Sequence, residues 1–281
     1  MRGHTVSPAP VSLAGVVEAV WDVDVPDAGQ ARDLRIKVLP SPSPVICIHY
    51  RSPILSERQN GQDPYAATLT GARTATGVLQ PTGPIGVIAA RIKPSAAARL
   101  FRCGTSTFAD AHLDLTSLLP RASVVSLIDS LGEARHSAER LARFEQFLLS
   151  HIGSDQTDPL VDHAADELRA NPATPIHRLA ARLDLGERQF ERRFLAQIGI
   201  SPKQFARIER CERIFARRMR GSGWADIAVA CGFTDQPHMV RDFKTLVGEA
   251  PDAFAKAVSA PARRALNTSL TMSGFYNTFV I

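Results

Sequence analysis

One short pattern occurs twice between residues 176 and 254, and this duplication constrains the fold more tightly than any other feature of the chain. The first copy reads Leu-Ala-Ala-Arg-Leu-Asp-Leu-Gly-Glu-Arg-Gln-Phe-Glu-Arg-Arg-Phe over residues 179–194, followed by Ile-Gly-Ile-Ser-Pro at 198–202. The second reads Ile-Ala-Val-Ala-Cys-Gly-Phe-Thr-Asp-Gln-Pro-His-Met-Val-Arg-Asp-Phe over residues 227–243, followed by Val-Gly-Glu-Ala-Pro at 247–251. Superposed, Leu183 falls on Cys231 and Leu185 on Phe233. After one inserted residue, Phe194 falls on Phe243, Ile198 on Val247, Gly199 on Gly248, Pro202 on Pro251 and Phe205 on Phe254. A solenoid needs at least three stacked repeats, so two copies make a tandem pair.

Each copy reads as helix, tight turn, helix. In the first, Thr174 is a candidate N-cap, and Pro175 suits the first helical position, where a missing N–H costs nothing. Ile176, Leu179, Ala180 and Leu183 recur at helical spacing, and Asp184-Leu185-Gly186 makes the turn. Phe190, Phe194 and Ile198 form the buried stripe of the second helix, which Gly199 terminates. In the second copy Ile227, Ala228 and Cys231 form the stripe, Gly232-Phe233 turns and Thr234 caps. Pro237 then falls in a first helical turn, where it need not break the helix. Between the copies, residues 202–219 carry Phe205, Ile208, Phe215 and Met219 at near-helical spacing. A helix of that length spans about 27 Å, close to the roughly 34 Å of one DNA turn. Two helices across so tight a turn form the unit whose second helix enters a DNA major groove.

These residues carry a family resemblance. The stretch 179–205, and above all Cys-Gly-Phe-Thr-Asp-Gln-Pro-His-Met-Val-Arg-Asp-Phe-Lys at 231–244 with Gly-Glu-Ala-Pro at 248–251, resembles the tandem DNA-binding domain of AraC/XylS-type bacterial transcription regulators. The resemblance covers about the last third of the chain. It implies a seven-helix domain with two helix-turn-helix units bridged by one long helix. Matched residue by residue, it puts Arg188, Gln189, Glu191 and Arg192 at the base-facing positions of the first recognition helix. Arg193 falls toward phosphate or solvent. On the second helix, Gln236, Pro237, Val240 and Arg241 take the facing positions, and His238 is either a phosphate contact or solvent-exposed. Arg can fork onto guanine and Glu can accept from cytosine, so Arg192 and Glu191 are the sharpest expected readers. Gln236 suits adenine and Arg241 guanine or phosphate, whereas Pro237 and Val240 offer thymine methyls an apolar surface.

Charge follows the same division. Residues 172–258 hold 15 Lys+Arg against 10 Asp+Glu, whereas residues 1–171 hold 16 against 18. A positive excess confined to one region is the footprint of a phosphate-binding surface. Arg207, Arg210, Arg213, Arg217 and Arg218 contribute to it, and the competing reading is that they only solvate the outer face of the bridging helix.

The N-terminal half, residues 1–155, predicts an antiparallel β-rich domain, a small sheet or barrel, giving an α+β chain overall. Short Val-, Ile- and Thr-rich runs at 34–39, 45–50, 67–70, 75–79 and 85–92 are punctuated by prolines at 40–44, 81–84 and 94. Helical runs follow at 96–101, 115–119, 124–131 and 138–152. A boundary is expected near 155, a helix over 159–170 within a DNA-binding domain of 156–258, and a tail of 259–281 that either stays free or packs an aromatic end onto a domain. Residues 86–101, Gly-Val-Ile-Ala-Ala-Arg-Ile-Lys-Pro-Ser-Ala-Ala-Ala-Arg-Leu-Phe, resemble the poorly characterised N-terminal domain of a subgroup of these regulators, with Ser95 where that pattern has glycine. The resemblance implies a sensory or dimerising role.

Catalytic signatures are lacking. His49, His112, His136 and His151 have no Cys or carboxylate at ligand spacing, so no metal and no cofactor is expected. No G-x-S-x-G, G-x-G-x-x-G or P-loop occurs. Cys47, Cys103, Cys211 and Cys231 are scattered and read as buried thiols of a reducing cytoplasm. No run reaches a membrane span and no secretory signal opens the chain. The implied function is a sequence-specific, non-enzymatic transcription regulator in the cytoplasm. Its partner is double-stranded DNA, with a small-molecule effector, RNA polymerase and a second copy of the chain as further candidates. The rival readings are an alkyl-transfer DNA-repair protein carrying the same module, which needs a reactive cysteine, and a non-specific DNA-binding protein.

Overall fold

The computed structural model describes residues 4–32, 34–56, 64–101, 105–153, 157–258 and 278–280. Strands dominate the first half: β1 (His4–Pro8), β2 (Val17–Val25), β3 (Ile36–Val38), β4 (Val45–His49), β5 (Ile54–Ser56), β6 (Ala67–Thr70), β7 (Gly77–Pro81), β8 (Ile85–Ile92) and β9 (His112–Asp114). Short helix α1 (Ala28–Arg32) follows β2, and α2 (Ala97–Phe101), α3 (Arg121–Glu133) and α4 (Ser137–His151) complete this half. Two antiparallel sheets result, in the orders β1-β2-β8-β4-β6-β9 and β10-β3-β7-β5, where β10 (Thr278–Val280) comes from the C-terminus.

Side-chain alternation decides which layer each strand faces. In β8, Val87 and Ala89 point between the sheets with Trp21, Val23 and Ile54, whereas Ile88, Ala90 and Ile92 point the other way. That second face is covered by Leu127 and Leu131 of α3 and Phe144, Phe147 and Leu148 of α4. An irregularity between Val17 and Ala19 shifts the register of β2 on β8, which lets Val17 join Val20 on the helix side. The helix-covered antiparallel sheet agrees with the α+β expectation.

Strand β2 was not legible, although it is the longest strand, because Glu18, Asp22 and Asp24 interrupt its apolar pattern. Their partners are remote in sequence. Asp22 is 1 % exposed and accepts from Arg140 of α4 at 2.9 Å and from the Tyr50 hydroxyl at 2.7 Å. A paired and hydrogen-bonded carboxylate is tolerated in a core where an isolated one is not.

Seven helices follow among the described residues: α5 (Pro159–Ala170), α6 (Ile176–Arg182), α7 (Glu187–Ile198), α8 (Pro202–Met219), α9 (Trp224–Ala230), α10 (Gln236–Val247) and α11 (Pro251–Val258). They share one core of Val161, Leu168, Leu179, Phe190, Phe194, Phe205, Ile227, Met239, Phe243 and Phe254. Gly199 and Gly248 cap α7 and α10 in the left-handed region, at φ 91° and 89°. Two N-caps differ from expectation. Pro175, not Thr174, is the N-cap of α6, because Pro175 remains extended at ψ 128°. Asp235, not Thr234, caps α10: its carboxylate accepts from the His238 N–H, which a longer acidic side chain one residue nearer the helix reaches better. The boundary residues 154–156, Cys103 and the tail residues 259–277 lie outside the described residues.

Candidate nucleic-acid interface

The duplication seen in sequence is a duplication in space. Helices α6 and α9 are 7 residues each, and α7 and α10 are 12 each. The turns between them also match. Asp184 has φ 54° and Gly232, its counterpart, φ 72°, so both units reverse through one left-handed residue. Aspartate tolerates that region better than most side chains, while glycine enters it freely.

The inward and outward faces of each second helix are sharply divided. Phe190 and Phe194 are fully buried on α7, and Met239 and Phe243 occupy the same positions on α10. Phe194 packs edge-on against Phe205 of α8, with ring centroids 5.5 Å apart. Outward, Arg188, Gln189, Glu191 and Arg192 of α7 are all exposed, as are Gln236, Pro237, His238 and Arg241 of α10. Arg188, Arg192 and Arg241 make no ion pair among the described residues, which leaves their guanidinium forks free. His238 leans its ring edge-on against Phe233 at 5.4 Å, so it is exposed yet positioned.

Two of the expected residues have other tasks. Arg193 forms a bidentate pair with Asp158, the N-cap of α5, at 2.5 and 2.7 Å. This pairing lowers the Asp158 carboxyl and raises Arg193, so Arg193 braces α7 against the start of α5. Its counterpart in the second copy is Asp242, which pairs with Arg207 of α8. The second helix of each unit is thus braced at the same position with the signs exchanged, a feature that a comparison of residue types alone conceals. Val240 is half-buried and packs against the helical core, so little of it faces outward.

The basic residues of α8 are spent mostly inside the domain. Arg213 donates to the Arg169 and Ala170 carbonyls at the end of α5, closing that helix. The Arg210 guanidinium lies 5.1 Å from the Phe233 ring centroid, and Arg218 4.5 Å from that of Trp224. Plain solvation therefore does not describe Arg207, Arg210, Arg213 or Arg218, whereas Arg217 is exposed as that reading expects. The outward faces gain two residues instead. Leu195, 44 % exposed, lies one turn beyond Arg192, and exposed Lys244 is its counterpart on α10. The signal was the i, i+4, i+7 spacing from Arg188 through Arg192 to Leu195.

The N-terminal half touches both units and the helix between them. Thr105 donates to the Ala196 carbonyl at 3.3 Å and Gln197 to that of Ser95 at 3.4 Å, at the end of α7. Thr76 donates to the Val247 carbonyl at 3.2 Å, at the end of α10. At α8, Arg91 of β8 lies between Glu18 at 2.8 Å and Glu212 at 3.2 Å, and Arg169 between Glu18 at 2.6 Å and Glu209 at 3.2 Å. Three carboxylates thus share two guanidiniums, and burial with the Glu212 charge pushes Glu209 up to about 7 despite Arg169.

Other chemistry in the N-terminal half is muted. Burial pushes the Cys47 thiol up to about 12, which keeps it protonated and a poor nucleophile. This counts against alkyl transfer at Cys47; Cys103, the other candidate, is not among the described residues. His49 and His112 are both driven down to about 4 by burial and are neutral near pH 7. Among the described residues no group of three or more His, Cys, Asp or Glu could hold a metal, and no helix is long and apolar enough to cross a membrane.

Each half matches a known domain family. Residues 179–257 match the family described as helix-turn-helix domain, and residues 4–114 match a domain of unknown function (DUF6597). No curated protein matches the chain. Among solved structures, unsaturated fatty acid-bound ToxT from Vibrio cholerae is 13% identical over 91% of this chain and 97% of its own, with a TM-score of 0.44. The DNA-binding domain of AdpA, in complex with a target DNA, is 27% identical over 37% of this chain and 96% of its own, with a TM-score of 0.33. A probable AraC family regulator from Rhodopseudomonas palustris is 25% identical over 36% and 97%, with a TM-score of 0.32.

Proposed function

We propose that the chain, whose residues 179–257 match a helix-turn-helix domain, is a sequence-specific transcription regulator of the AraC type whose helices α7 and α10 enter two successive major grooves of double-stranded DNA. One observation carries this reading: two helices of equal length, each closed by a left-handed glycine, expose corresponding faces whose arginines make no ion pair among the described residues. Arg188, Arg192 and Arg241 read guanine or hold phosphate, Gln189 and Gln236 read adenine, and Glu191 accepts from cytosine. Leu195 and Pro237 offer apolar surface to thymine methyls. The second helix presents fewer base-reading groups, so it is the weaker reader. Glu191 on the exposed face of α7 favours specific over purely electrostatic binding, since a carboxylate there repels phosphate. The N-terminal half is the regulatory part, with a small-molecule effector as its input and its contacts to α7, α8 and α10 as its output. Cytoplasmic action, with RNA polymerase and a second copy of the chain as partners, accords with that role.

Selection from random double-stranded DNA, with binding followed as a function of salt, tests the reading. A site of two half-elements about one helical turn apart supports it. Binding that follows salt alone and enriches no sequence identifies a non-specific binder instead.

A further inference from the structure

The C-terminal strand β10 lies where the two halves of the protein meet, with its backbone committed to one half and its Phe279 side chain to the other. Its backbone extends the small sheet: Thr278 pairs with Val38, Phe279 with Lys37 and Val280 with Ile36, all antiparallel to β3. The Phe279 side chain enters the helical core instead. It is fully buried, with its ring centroid 4.4 Å from that of Phe215 on α8 and 5.3 Å from that of Phe254 on α11. Phe254 in turn lies 6.2 Å from Phe243, the inward residue of recognition helix α10. An unbroken run of aromatic rings therefore joins the C-terminal strand to the helix that faces the second groove.

The strand that receives β10 repeats the arrangement. Lys37 of β3 pairs with Glu249, in the turn that ends α10, and its ammonium lies 5.4 Å from the Phe254 ring centroid. The seam thus holds α10 and α11 of the second unit, whereas at the first the N-terminal half meets α7 through Thr105, which donates to the Ala196 carbonyl, and the Ser95 carbonyl, which accepts from Gln197. A three-residue strand on a sheet edge is held by few ladder bonds, so most of its hold comes from the buried ring.

We propose that Thr278–Val280 is a displaceable clasp that fixes the second helix-turn-helix unit against the N-terminal sheet, so that the clasped protein accepts only one separation between its DNA half-elements. Release of the clasp leaves both units folded and frees the second to swing about the end of α8. This rests on the reading that α7 and α10 each occupy a major groove.

The test compares the full chain with Phe279→Ala and with a chain ending at Asn277. Hydrogen exchange of the free proteins comes first, because it needs no DNA. The clasp predicts at least tenfold faster exchange in β3 and in α10–α11 of both variants, with α5–α7 unchanged. Selection on DNAs whose half-elements are moved apart or together by single base pairs comes second. The full chain should prefer one separation, and both variants should lose that preference at least fivefold while keeping the same half-element sequences. Unchanged exchange in α10–α11, or an even rise across all helices, overturns the clasp and leaves Phe279 a plain core residue. A local rise in exchange with an unchanged separation profile overturns it equally. Failure of the full chain to select any two-part site defeats the DNA reading instead, and the exchange pattern alone then decides whether the strand holds the second unit.

Discussion

Gly232→Ala tests the account at the turn that aims α10. Two costs can be worked from the structure. The residue stands at φ 72°, a region that costs a side chain with a Cβ about 1–2 kcal/mol. A Cβ built there would also fall 2.7 Å from the Cβ of Ala173, in the turn before α6, well inside the contact distance of two carbons. Ala173 cannot rotate away, so either the α5–α6 turn or α9 must shift, adding about 1–3 kcal/mol. The expected total is about 2–5 kcal/mol. Urea unfolding in a Trp21→Phe background isolates the second unit, because Trp224 at the start of α9 is then the one tryptophan remaining. The double substitution Gly232→Ala, Ala173→Gly separates the two costs. It should restore the steric part and leave the conformational part, giving a coupling of about 1–3 kcal/mol. A Gly232→Ala protein within about 0.5 kcal/mol of the parent, or a coupling of zero, would refute the reasoning.

Three further expectations follow from the geometry. Phe194→Ala and Phe243→Ala each empty a fully buried ring position and should cost about 3–5 kcal/mol; a wild-type Tm for either would show that the inward face is misassigned. Arg193→Ala should lower Tm by releasing Asp158 yet leave the base preferences of selected DNA unchanged, and a lost base preference would return Arg193 to the DNA-facing set. Glu209, held near 7 in the folded protein against about 4.5 unfolded, binds a proton that the unfolded chain has already released. Its contribution is therefore full below about pH 4.5 and is lost as pH rises through 7, a fall of about 1–3 kcal/mol. Glu209→Gln should flatten that fall in unfolding curves between pH 5 and 8, and an identical profile would contradict the raised ionisation of Glu209.

The sequence made the C-terminal domain legible to a degree the N-terminal one was not, and the reason is locality. In α7 and α10 the buried phenylalanines, the terminating glycines and the exposed arginines all lie within one helix, so periodicity alone sorts them. Strands β4, β6 and β8 were legible for the same reason, being runs bounded by prolines and turns. Strand β2 was hidden because Asp22 is made acceptable by Arg140, 118 residues away. The strand at residues 278–280 was hidden because its partner β3 lies at the other end of the chain, and three residues carry no periodic signal. Arg193 and the arginines of α8 show the same limit at the candidate site. Their type and spacing suit phosphate, and only the position of Asp158, of the α5 carbonyls and of the Phe233 and Trp224 rings shows that Arg193, Arg213, Arg210 and Arg218 have partners within the protein.

The central claim is that each recognition helix reads its own half of one composite site. Parallel selections with the parent chain, Arg192→Ala and Arg241→Ala address it most directly. Arg192→Ala should weaken the best site by about 1–3 kcal/mol and relax one position in one half-element, while Arg241→Ala should perturb only the other half. Selected sequences identical for all three proteins, or both substitutions relaxing the same half, would contradict it.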